Sequence, residues 1–188
     1  MGKRKRRPLS KNEILQTVKY AEESRRAVWA IPFTVISILC NYTLWKTEGW
    51  GRDRLVRYHE LVNKYNQMLY DGDVTVDELR QRVEEKGGFP VKAEHIDTKN
   101  IRMGNRFLRE MTRSVINSEN AIYEQAAQHL LEHYAALIDL GFGRKRLARI
   151  KEALNGLLEK AGSGELKVTD LQQEMLDKLQ MEFESPIM

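Results

Sequence analysis

Two stretches concentrate groups able to hold an anion: "EGWGRDRLVRY" at 48–58 and "LGFGRKRLARI" at 140–150. Each sets an aromatic residue between two glycines and follows them with arginines. A glycine after a long apolar helix supplies the left-handed backbone that stops it, and Trp50 or Phe142 can then fold back on the last turn as a Schellman cap requires. The second glycine can cap the next helix and lets another backbone come close. At such a corner the free N–H groups of the second helix point outward with the positive end of its dipole, so an anion can dock there. The candidate binding residues are Gly49, Gly51, Arg52 and Arg57 in the first stretch and Gly141, Gly143, Arg144, Lys145 and Arg149 in the second. The plainer alternative is a corner that only shapes a helical hairpin. At about 100° per residue, Arg54 and Arg146 fall beside the apolar stripe, within reach of a buried carboxylate instead of a ligand.

A second basic feature is independent of the corners. Arg102, Arg106, Arg109 and Arg113 share one face of a helix, Ile101, Leu108, Met111 and Val115 line another, and Glu110 is the only acid between 98 and 118. Such a stripe fits a phosphate backbone or an acidic protein groove, or else is a solvated face with local ion pairs. Enzyme signatures are absent: there is no phosphate loop, no nucleophile elbow and no acidic metal cluster at fixed spacing. His129 and His133 have the spacing of a helical metal pair, but Glu132 is not where the zinc-protease pattern needs it, and they read as surface histidines. No catalytic residue, metal or cofactor is expected.

The helices around these residues are written twice. A shift of 92 aligns 34–86 with 126–178 without a gap, and fifteen of the fifty-three pairs are identical, concentrated at glycines and apolar helix positions. Each copy reads as three helices. The first ends at the glycine pair. The second carries Leu55, Tyr58, Val62, Tyr65 and Leu69, or Leu147, Ile150, Leu154, Leu157 and Ala161, at helical spacing. Turns follow at "DGD" (71–73) and "SGE" (163–165), and the third helices open with capping boxes, Thr75 with Glu78 and Thr169 with Gln172. An upstream helix runs from Ser10 to just before Pro32 in one half and over about 99–117 in the other. No stretch alternates with period two, so the fold is all-α, two related halves of three to four helices each. The expected organisation is a disordered basic tail (1–9), an N-terminal helical repeat (10–87), a linker (88–98), a C-terminal helical repeat (99–180) and a short tail (181–188).

Charge and composition restrict the class. The chain has 188 residues and a formal net charge of +4, with five cations packed into "GKRKRRP" at 2–8, either a solvated tail or a phosphate-seeking arm. Cys40 is the single cysteine, which excludes an internal disulfide and suggests a reducing cytoplasmic setting. Ala27–Trp45 is an uncharged run of 19 that imitates a membrane anchor. Its counterpart "AAQHLLEHYAAL" carries His129, Glu132 and His133, so 33–46 is expected to be a core helix and not a membrane span.

The corners resemble the helix-hairpin-helix motif of hydrophobic, Gly, hydrophobic, Gly, then apolar residues at fixed steps. The second copy fits through Leu140, Gly141, Phe142, Gly143, Leu147 and Ile150; the first has Gly49, Trp50, Gly51, Leu55 and Tyr58 but Glu48 in the leading hydrophobic place. That resemblance implies a glycine turn holding a DNA phosphate without reading bases. Leu55 and Leu147 stand where alanine is usual, and the copies are farther apart than in compact tandem versions. The "G-[FW]-G-x-x-R-L" turn over 42–58 and 134–150 is also similar to small helical phage and prophage proteins of Gram-positive bacteria, some of which are anti-CRISPR inhibitors of Cas9-type nucleases. The expectation is a non-catalytic protein of phage or mobile-element origin that binds nucleic acid or a nucleoprotein such as a Cas9–guide complex. One alternative is a tandem helix-hairpin-helix-like protein that binds DNA without sequence preference. The other is a structural helical protein that homodimerises or covers its apolar faces with a partner protein.

Overall fold

Glycines and apolar spacing divide the chain into the elements seen in the computed structural model, which describes residues 33–92 and 106–183, and for 106–119 the backbone alone. These residues form six helices and no strand: α1 (33–48), α2 (Arg52–Asp71), α3 (Val76–Gly87), α4 (Arg106–Asp139), α5 (Arg144–Gly162) and α6 (Val168–Leu179). The protein is all-α. The starts of α2 and α5, and of α3 and α6, lie at positions related by the 92-residue shift. The tail 1–9, the helix expected from Ser10 and most of the linker fall outside the described residues. So does the start of the uncharged run. No helix among the described residues is long and apolar enough to cross a membrane.

Helix ends follow the glycines. Gly49 (φ 64°) and Gly141 (φ 79°) take the left-handed backbone that ends α1 and α4, and Gly72 and Gly164, both at φ 78°, make the turns before α3 and α6. The Phe142 N–H donates to the Leu137 carbonyl at 3.0 Å, the Schellman bond; the Trp50 N–H reaches one residue further back, to Leu44 at 3.5 Å. Thr75 and Glu78 form the expected capping box. The box expected from Thr169 and Gln172 does not form. Lys167 takes the N-cap position of α6 with no side-chain cap bond, and Thr169 is already inside the first turn. The helix expected over 99–117 is also corrected: α4 runs 34 residues without a break, because 117–125 contains neither glycine nor proline to stop it.

α1 and α4 are the central helices. Residues 36–41 are all buried, as are 131–137, which is possible only for turns enclosed on every side. Helices α2 and α3 pack on α4, and Arg82 of α3 pairs with Asp139 at its end. Glu174 of α6 binds Tyr42 (2.9 Å) and Lys46 (2.7 Å) of α1, so the corresponding tie carries the opposite charge order. The buried apolar residues of both halves form one cluster, with Leu39, Leu55, Val62, Leu79, Leu131, Leu147, Leu154 and Met175 at its centre.

This enclosure overturns the reading of His129 and His133 as surface residues. They are 5 % and 1 % exposed, and Glu132 between them is fully buried. His133 sits between Ser37 Oγ (3.3 Å from Nε2) and the Tyr58 hydroxyl (2.6 Å from Nδ1). His129 Nδ1 lies 3.1 Å from Glu132 Oε2, and Gln128 donates to the other oxygen at 3.2 Å. Under the shift these residues correspond to Ser37, Cys40 and Asn41, inside the buried uncharged helix. They occupy core positions and satisfy one another there.

Candidate functional site

The two corners meet. Trp50 and Phe142 are 3 % and 4 % exposed and stack edge to face with centroids 5.5 Å apart, so the turn ending α1 abuts the turn ending α4. The flanking glycines stay at the surface. Gly49, Gly51, Gly141 and Gly143 are exposed, and a Cβ built on any of them meets nothing within 4 Å. Gly51 (φ −80°, ψ 176°) and Gly143 (φ −83°, ψ 172°) cap α2 and α5 in extended backbone without a side-chain cap. The N–H groups of Arg54 and Leu55 return to the Gly51 carbonyl, and those of Arg146 and Leu147 to Gly143. The three amides before each of these pairs donate to no backbone carbonyl among the described residues. They form two neighbouring sets of outward donors at the positive ends of two helices.

Side chains make the corners unequal. Arg146 lies over the Phe142 ring at 3.7 Å, and Arg54 lies over Trp50 at 5.5 Å. Glu48, the residue out of place in the hairpin pattern, reaches across to the second corner. Its carboxylate accepts from Arg146 at 2.7 Å and from Arg149, and its side chain is only 7 % exposed. Burial pushes the Glu48 carboxyl up, but hydrogen bonds from the two arginines outweigh it and hold it below the usual 4.5. Leu140, at the equivalent place of the other corner, is 39 % exposed. Among the described residues, the expected pairing of an arginine beside the stripe with a carboxylate therefore occurs for Arg146 and not for Arg54.

Of the sequence-derived residues, Arg52, Arg57 and Lys145 are exposed beside the corners. Arg144 is anchored by a 2.9 Å bond to the Glu85 carbonyl, and Arg149 is committed to Glu48. Arg102 lies outside the described residues, and Arg106, Arg109 and Arg113 are described only as helical backbone. Their positions are the first turns of α4. At about 1.5 Å per residue, roughly 40 Å of helix separates Arg113 from the corner at its far end, so stripe and corners are not one contiguous site. Sequence reasoning misses Glu48, although its departure from the hairpin pattern is a signal. No group of three His, Cys, Asp or Glu among the described residues could hold a metal ion.

No family model, curated protein or solved structure matches this chain. What bears on its function is the geometry of the corners themselves.

Proposed function

We propose that the chain is a non-catalytic binding protein that grips the phosphate backbone of nucleic acid, alone or within a nucleoprotein, at its paired glycine corners. The observation that carries this reading is the contact of Trp50 with Phe142, which brings two exposed helix N-termini and their cations to one edge of the fold. Phosphate contacts of this kind position a partner without reading its sequence. We read the two halves as an internal duplication, supported by the shared helix starts and the matching backbone of the corner glycines. The likeness of the turn to phage counter-defence proteins extends the proposal to inhibition of a Cas9-type nuclease, whose guide duplex is a phosphate-rich target.

The test is binding of labelled DNA and RNA by fluorescence anisotropy across salt concentrations. Wild type should bind with an affinity that falls steeply with salt. Arg144→Glu with Lys145→Glu should weaken binding at least about tenfold and reduce the magnitude of the log–log salt slope by about two. Absence of nucleic-acid binding at low salt, or wild-type binding by the double variant, rules the proposal out.

A further inference from the structure

We infer that the groove beside the second corner seats one base of a single-stranded nucleic acid, a reading that rests on the proposed function and names its ligand. The groove, of about 800 Å³, lies between α5 and the chain leaving α3. Lys145, Ala148, Glu152, Asn155 and Glu159 line it from one face of α5, at steps of three and four residues. Arg144 and Lys145 stand at its mouth, and Lys151 Nζ lies 4.5 Å from the centroid of the Phe89 ring, which forms part of the wall. Along α5 its lining therefore runs from Arg144 and Lys145 at the corner, through Lys151 beside Glu152, to Asn155 and Glu159.

That order matches one nucleotide unit. Phosphate meets Arg144 and Lys145, a flat base takes the Phe89 face and displaces Lys151 from it toward the phosphate, and the ring and exocyclic N–H groups of the base meet the carboxylates and Asn155. Aromatic stacking next to backbone cations is how single strands are held, and a paired base inside a duplex cannot enter such a groove. Gly156 supplies an independent sign. It stands in the interior of α5, where glycine is the poorest helix former after proline, and it lines the groove. A Cβ there would meet nothing within 4 Å, so no packing requirement within the described chain explains it. It leaves the groove wall bare.

The equivalent groove beside α2, about 710 Å³, is lined by Arg52, His59, Glu60 and Met181 together with the rings of Phe33 and Phe183. At equivalent positions it has Met181 for Phe89 and His59 for Lys151. In sequence register Asp53 and Lys64 take the places of Lys145 and Gly156, and neither lines this groove. It keeps aromatic rings in its wall and one corner cation, Arg52, but it lacks the counterparts of Lys145 and Lys151 and so has no run of cations for a phosphate.

The experiment uses the full chain, a fluorescein-labelled single strand of thymidines and a duplex of equal length. Gly156→Leu should weaken single-strand binding about tenfold and leave duplex binding within about twofold; Lys64→Leu should change neither. Gly156→Ala should raise the melting temperature by about 2–4 °C while weakening single-strand binding, a combination that a purely structural glycine would not give. Melting curves of each variant establish that it is folded. Wild-type single-strand affinity in Gly156→Leu overturns the inference, and if Arg144→Glu with Lys145→Glu still weakens binding, the corner reading survives it. Equal loss of duplex and single-strand binding in Gly156→Leu also overturns it, and absence of all nucleic-acid binding removes both.

Discussion

At the first corner Asp53 stands in the first turn of α2 and Glu48 just before the glycines; at the second, Lys145 and Leu140 take those places. The backbones are close copies, with left-handed Gly49 and Gly141 and extended caps at Gly51 and Gly143. Charge is where they part. The second corner has Arg144, Lys145, Arg146 and Arg149 and no acid of its own, whereas the first lends Glu48 to Arg146 and Arg149. Asp53 favours the dipole of α2 but repels an incoming anion at the same end. The difference separates two tasks that sequence treats as one: Glu48 of the first corner holds Arg146 and Arg149 of the second in place, and under the proposed function the second corner takes the larger share of the phosphate contacts.

Removing the pivot that the corners share is the most severe challenge to this division. Trp50→Ala and Phe142→Ala should each destabilise the fold by about 3–5 kcal/mol, with a coupling of about 0.5–1.5 kcal/mol in a double-mutant cycle read by chemical denaturation. Additive losses would mean that the corners do not depend on one another.

Acid separates the halves next, because the titrating core groups are unevenly shared. Burial, then the neighbouring His59 and His129, depress His133 well below its usual 6.5, and burial lowers His59. Both are neutral in the fold, while the unfolded chain takes up protons below about pH 6.5. Stability is therefore full above that pH and is lost as pH falls through it. The equivalent of His133 in the first half is Asn41. His133→Asn should remove most of the loss in unfolding free energy between pH 7 and pH 5, and an unchanged slope would contradict this. Glu48, Glu78 and Glu174, held below 4.5, act only in more acidic solution.

The smallest contrast lies at the third helices. Thr75→Ala should cost about 1 kcal/mol by removing the cap of α3. Lys167→Asp should stabilise α6 by about 0.5–1 kcal/mol, since that N-cap position has no side-chain cap bond to lose. Opposite signs in the two halves are the expected outcome in thermal melts.

The parts of this architecture legible in the sequence are those that local physics decides. Glycines 49, 72, 141 and 164 stop helices wherever they sit, and Leu55 to Tyr65 and Leu147 to Leu154 bury the stripe their spacing draws. Less legible is whatever depends on how many neighbours surround a helix. Because Glu132 and the histidines are polar, "AAQHLLEHYAAL" has the pattern of an amphipathic surface helix, although the 92-residue shift pairs it with 33–46, which reads as a core helix. The information runs the other way: the uncharged helix marks an enclosed position, and its counterpart takes polar groups into the same enclosure, where Tyr58, Ser37 and Gln128 satisfy them. Glu48 is illegible for a related reason. Its partners, Arg146 and Arg149, lie about a hundred residues away and meet it only once the halves interlock.

Whether the second corner is the seat is decided by titrating the isotope-labelled protein with an oligonucleotide and following its backbone amide chemical shifts. The amides of Gly143, Arg144 and Lys145 should move early and far, while those of Gly51, Arg52 and Asp53 move later and less. Equal movement at both corners, or movement confined to the first, would contradict this assignment.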